Sequence, residues 1–198
     1  MECKFFKKRQ QIVSNYAKPA LSVIELSSIA AGFTVTDDIV KKAEIDVLES
    51  TPVCPGKYLV VTGGEEGSIL ESYEKAKETA GKWIIDDIFI PNLHRQVIPA
   101  IQSLTWDGEY KSIGVIETSN AAASIISADH AAKNSEIQLL NIRLANGIGG
   151  KGYYVFSGLL EEVEAGISAG SEYPEQINAL INKIIIPNPT REMCEFII

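Results

Sequence analysis

Apolar and polar positions along this chain form one pattern, and the pattern occurs twice. Ala20 to Glu25 reads ALSVIE, and Ser112 to Glu117 reads SIGVIE. Each is a short run of branched aliphatic residues, as a half-buried strand requires. Helical spacing follows each, in SSIAAGFTVTDDIVKKAEI and SNAAASIISADHAAKNSEI. A short apolar segment comes next (Asp46 to Leu48, Gln138 to Leu140), then a loop ending Gly56-Lys57 or Gly150-Lys151. Strands YLVVTGG and GYYVFSG resume, and the copies close on Ile90-Pro91-Asn92 and Ile186-Pro187-Asn188. The offset between copies grows from 92, at Ile24 and Ile116, to 96, at Asn92 and Asn188. A few residues have therefore been inserted in the second copy, mostly in the loop.

Each repeat reads strand, helix, strand, loop, strand, helix, strand, which predicts a two-layer α+β sandwich with both helices on one sheet face. In the first helix, Ile29, Phe33, Ile39, Val40 and Ala43 are expected on the core side, interrupted by Gly32. Thr36-Asp37-Asp38 is expected to cap its second part. Glu65 to Ala80 reads as the next helix, with Ile69, Tyr73, Ala76 and Ala80 at helical spacing and Gly81 as its stop. Gly63-Gly64 and Gly67 read as a strand-to-helix turn. The predicted division is a tail at 1–19, a first domain at 20–101, a polar linker at 102–111 and a second domain at 112–198. The linker holds the turn signal Asp107-Gly108.

Composition narrows the function. Among 198 residues, 45% are apolar and 22% charged, an ordinary globular balance. A net charge of −8 argues against nucleic acid as a partner, because phosphate attraction needs a basic surface. No apolar run approaches the ~20 residues that span a bilayer. The start, MECKFFKKRQQ, lacks the apolar core of a signal peptide. Three widely spaced cysteines, Cys3, Cys54 and Cys194, fit a reducing cytoplasm better than a disulfide scaffold. No nucleophile–base pair or metal-ligand cluster appears within one chain, so an enzyme is not expected. Asn146 to Lys151 (NGIGGK) superficially resembles a phosphate loop. That loop must run into a helix, whereas a strand follows here, so nucleotide binding is rejected.

The order and repetition of these segments resemble the shell domains of bacterial microcompartments. The markers are the opening Val-Ile-Glu strand, the segment Asp37 to Lys41 leading into Ala43, the loop before Gly56-Lys57, and Pro91-Asn92-Leu93-His94. The whole resembles the tandem-domain shell proteins of that family over about 180 residues, in the unpermuted strand order. The resemblance implies two ferredoxin-like domains per chain and a homotrimer that forms a pseudohexameric tile. Tiles of this kind pave a protein shell together with other shell proteins. The loops before Gly-Lys then line a central pore, through Val53, Cys54, Pro55 and Gly56 in repeat one and Asn146, Gly147, Ile148, Gly149 and Gly150 in repeat two.

Threefold symmetry would bring three copies of Cys54 together at that pore. Val-Cys-Pro-Gly-Lys resembles the loop of the propanediol-type shell trimer, which implies one [4Fe-4S] cluster per trimer held by three Cys54 thiolates. Such a site suits electron transfer or cluster movement across the shell. The bland reading of a lone cysteine is a small buried hydrophobe. Cys3 and Cys194 carry no ligand argument, and the segment around Cys194 reads as a strand or packing arm. The resemblance also implies tile-edge roles for Lys41 and Lys133, and for His94, with Thr190 at its counterpart. The tail carries Phe5, Phe6, Ile12, Val13 and Tyr16 among basic residues, and is a candidate contact for encapsulated enzymes. Two rival readings stand beside the cluster: a plain tile whose pore passes small metabolites, and an unrelated duplicated α+β enzyme or ligand-binding regulator.

Overall fold

The computed structural model describes residues 16–103 and 111–195. The first repeat runs β1 (Pro19–Leu26), α1 (Ile29–Lys42), β2 (Asp46–Val53), β3 (Lys57–Glu65), α2 (Glu66–Ala80), β4 (Ile84–Ile90) and the short α3 (Val97–Ile101). The second runs β5 (Ser112–Thr118), α4 (Ala121–Asn134), β6 (Gln138–Leu144), β7 (Gly152–Gly158), α5 (Leu160–Gln176), β8 (Leu180–Ile186) and the single turn α6 (Arg191–Cys194). Each repeat builds its own four-stranded antiparallel sheet, ordered β2-β3-β1-β4 and β6-β7-β5-β8. The expected α+β repeat of four strands and two long helices is therefore observed, and the short α3 and α6 come in addition. The linker beyond 103 and the tail before 16 lie outside the described residues, except for their ends.

Strand alternation decides which face meets the helices. In the first sheet, Ile24, Leu26, Tyr58 and Val60 pack against Val35 and Ile39 of α1 and Ala76 and Ala80 of α2. The intervening residues, Leu21, Val23, Leu59 and Val61, face the other way, toward Val97 and Ile98 of α3. That second cluster continues without a break into Ile125, Ala128, Ile137, Leu139 and Phe156 of the second domain. The two domains thus share one core across their junction, with α3 packed between its own sheet and α4 and β6.

Several local expectations change. α1 is one unbroken helix whose N-cap is Ser28, accepting from the Ala31 N–H at 3.3 Å. Thr36 caps nothing; its hydroxyl donates back to the Gly32 carbonyl at 2.8 Å, inside the helix. The buried stripe is Gly32, Val35 and Ile39, while Phe33 and Val40 are 63% and 50% exposed. Gly63 and Gly64 belong to β3, which passes directly into α2. A Cβ on Gly63 would lie 2.9 Å from Ile98, so this glycine admits α3 rather than making a turn. The segment ending at Cys194 is a helical turn, because Thr190 caps it through the Met193 N–H at 3.3 Å.

Candidate functional site

Both candidate pore loops are hairpin tips at the same end of their sheets. In repeat one, Val53 pairs with Lys57, and residues 54–56 form the tip. Gly56 has φ 79, the left-handed position that a three-residue hairpin loop assigns to glycine. Val53 is buried beneath the tip, whereas Cys54, Pro55 and Gly56 are exposed. Cys54 is a free thiol. In repeat two, Leu144 pairs with Gly152, and residues 145–151 form a longer tip. Ala145, Gly147, Gly149 and Gly150 all have positive φ there. The Ala145 N–H donates to the Lys151 carbonyl at 2.8 Å, and the Gly150 N–H to the Ala145 carbonyl at 3.3 Å, so the loop folds back on itself.

The two tips meet. A Cβ added at Gly150 would lie 3.3 Å from the Cys54 carbonyl oxygen. One chain therefore brings Val53–Gly56 and Asn146–Gly150 to a single place. Behind each tip the same ion pair recurs: Lys57 Nζ to Glu25 Oε1 at 2.6 Å, and Lys151 Nζ to Glu117 Oε1 at 2.8 Å. Lys57 opens the strand that leaves its tip, Lys151 immediately precedes its strand, and each glutamate lies on a central strand of its sheet. The pair holds the base of the loop to the sheet. Half-exposed pairs of this kind contribute little stability, of order 0–1 kcal/mol.

As a donor, Cys54 fits a soft metal or an iron–sulfur cluster: it is exposed, unpaired and at a tip. No group of three His, Cys, Asp or Glu side chains able to hold a metal exists among the described residues.

The candidate edge residues fall in two environments. Lys41 is on the open face of α1 and pairs with Asp37, both well exposed. Lys133 makes the equivalent pair with Asp129 at 2.6 Å, but here the carboxylate is buried, with its side chain 3% exposed. Asp129 also accepts the His94 amide N–H at 2.7 Å, across the domain junction. Burial holds the His94 imidazole below its ordinary pKa; Arg95 and Lys133 push the same way, and Asp129 opposes them. Lys133 and His94 therefore flank one buried carboxylate inside the chain.

Gln96, which the sequence reading passed over, completes that junction. Its Nε2 donates to the Ile137 carbonyl at 3.0 Å, and its Oε1 accepts from the Leu139 N–H at 2.7 Å. Its position two residues past His94 was the only signal, and nothing in the spacing marked it.

A duplicated α+β unit with converging hairpin tips and a head-to-tail junction defines a tandem-domain protein. The BMC domain profile matches residues 20–93 and again residues 112–189. The chain belongs to the BMC domain family, as a tandem-domain shell protein similar to the bacterial microcompartment shell protein PduT of Citrobacter freundii. That relative is 34% identical over 174 residues, 88% of this chain and 95% of PduT. The crystal structure of a microcompartments protein from Desulfitobacterium hafniense DCB superposes with a TM-score of 0.86 at 36% identity, covering 89% of this chain and 98% of that one. A fused permuted hexameric shell protein from the RMM microcompartment has a TM-score of 0.59 at 18% identity, over 82% of this chain and 86% of its own, and shares the fold. Family membership overturns the rival reading of an unrelated duplicated fold.

Proposed function

We propose that this chain forms a homotrimeric tile of a microcompartment shell in the bacterial cytoplasm, with one [4Fe-4S] cluster at the central pore held by Cys54 from each of three chains. The observation that carries the ring is a difference between equivalent faces. In the second domain, Ala121, Ile125, Ala132 and Leu139 are buried, and the first domain packs there. Their counterparts in the first domain, Ile29, Phe33, Val40 and Val47, are each more than a third exposed. At the other end of the chain, Ile184 and Met193 are also exposed, whereas their first-domain counterparts Ile88 and Val97 pack into the junction. A contact that is mated inside the chain is thus open at both its ends. Repeating a head-to-tail contact gives either a closed ring or an open filament, and the family resemblance favours a ring of three chains.

Cys54 supports the pore reading because it is an exposed, free thiol where both tips converge. Three chains around an axis would supply three such thiols. When bound, a cluster there supplies a one-electron centre with one iron not held by the chain. Val53 anchors the tip, Gly56 turns it, and the Lys57–Glu25 pair fixes its base. The role that fits is passage of electrons, or of the cluster itself, across the shell. Lys41 and Lys133, with His94 nearby, are the candidate contacts to neighbouring shell proteins, and the tail at 1–19 is the candidate contact to encapsulated enzymes.

Anaerobic reconstitution with iron and sulfide tests the pore site. The trimer is expected to take up about four irons per three chains and to absorb in the visible. Cys54→Ser is expected to lose both while still trimerising, and Cys3→Ser and Cys194→Ser to retain them. Wild-type protein that binds no more iron than Cys54→Ser would replace this reading with the plain pore for small metabolites.

A further inference from the structure

The junction inside the chain has two polar rungs. In the first, the His94 amide N–H donates to Asp129. In the second, Gln96 bridges the start of β6, donating to the Ile137 carbonyl and accepting from the Leu139 N–H. A carboxamide both donates and accepts from one planar group, so it fits a strand edge that presents both a carbonyl and an N–H.

The repeat shows what occupies each position at the open ends. Asn92 and Asn188 follow the same Ile-Pro pair and share a φ of 50, which fixes the later offset at 96. Thr190 then stands where His94 stands, and Glu192 where Gln96 stands. On the receiving side the offset is 92, so Asp37 replaces Asp129, and Ile45 and Val47 replace Ile137 and Leu139. Among the described residues, no side chain bonds to the backbone of Ile45 or Val47, and Val47 is exposed. The first rung keeps its acceptor, because Asp37 remains a carboxylate available to a backbone N–H. The second does not keep its chemistry. An ionised carboxylate only accepts; it can take the Val47 N–H but meets the Ile45 carbonyl with lone pairs on both sides.

Building on the ring reading above, we infer that a second copy of this chain docks its residues 187–195 on α1 and β2 of the first. In that contact Thr190 faces Asp37 and Glu192 faces Ile45 and Val47. The contact between chains is therefore weaker than the junction within a chain, because a donor is missing at Glu192. The occupant is a second copy rather than a foreign partner, since the chain itself carries both halves of the contact in mated form.

The test uses the full chain at neutral pH. Sedimentation equilibrium on wild type and Glu192→Gln reads the affinity of the contact. Restoring the donor is expected to tighten each contact about tenfold, the scale of satisfying one buried polar group. Where rings are too tight to dilute apart, subunit exchange between labelled and unlabelled rings reads the same contact, and the glutamine variant exchanges about tenfold more slowly. The reverse change, Gln96→Glu, is expected to lower the thermal midpoint of the chain by placing the same mismatch inside it. Rings of equal affinity and equal exchange rate in wild type and Glu192→Gln overturn this inference and leave the ring reading standing. A wild-type chain that stays monomeric at micromolar concentration overturns both.

Discussion

At the scale of single residues, the two repeats solve the same packing problem with exchanged parts. Gly32 in α1 lies under the ring of Tyr58, and a Cβ there would sit 2.2 Å from the ring. The equivalent positions in repeat two are Ser124 and Gly152, and there the Cβ missing from Gly152 makes room for the Ser124 hydroxyl, 2.4 Å away. A second exchange lies on the central strands. Ser22 and Thr62 share a hydrogen bond at 2.7 Å, where Gly114 and Phe156 pack ring on backbone. Gly32→Ala is expected to destabilise the fold by about 1–3 kcal/mol through overpacking, read by urea denaturation. The double change Gly32→Ser with Tyr58→Gly is expected to cost less than the sum of the two single changes, and a strictly additive double mutant would count against the exchange. Gly32 was visible in the sequence only as an interruption of a helix. Its reason, a ring arriving from a strand some twenty residues later, is a tertiary fact that local spacing does not carry.

At the scale of elements, the succession of four strands and two long helices in each repeat and the end of α2 were legible because periodicity and Gly81 encode them locally, whereas the short α3 and α6 and the direct passage of β3 into α2 were not. The face of α1 was not. Its apolar residues, Ile29, Phe33 and Val40, read as core residues by spacing yet are exposed, and in the ring proposed above they form the contact face. In α4 the same face is covered by the other domain, so nearly every residue from Ala121 to Ala132 is buried. The location of Cys54 at an exposed tip was legible from the loop; the approach of the Gly150 loop to it was not, since it depends on how the domains dock. The junction also sets a dependence on acidity. Burial lowers the His94 imidazole, so the unfolded chain takes up that proton first. The stabilising contribution is whole above the ordinary histidine pKa of about 6.5 and is lost as pH falls through it. The thermal midpoint is expected to fall between about pH 7.5 and pH 5.5, and His94→Gln to flatten that fall. An unchanged slope in the variant would assign the effect to other groups.

At the scale of the whole molecule, the chain is half mated and half open. Phe33→Asp is expected to keep the fold, because the side chain is 63% exposed, and to abolish the ring, because a charge would be placed at an apolar contact. Light scattering separates these outcomes: a folded monomer supports the ring, and an unaltered trimer places the contact elsewhere. The exchange at Gly32–Tyr58 and Ser124–Gly152 has a further consequence, for inheritance. Two tandem copies in one gene invite crossing-over between them. A crossover between the helix and the following strand would join Ser to Tyr, which collide, or Gly to Gly, which leave a hole the size of a ring. The one-copy product of such a crossover joins Gly to Gly and the expanded product contains the Ser–Tyr join, so the stretch between these two positions is one in which recombination between the copies carries a packing penalty.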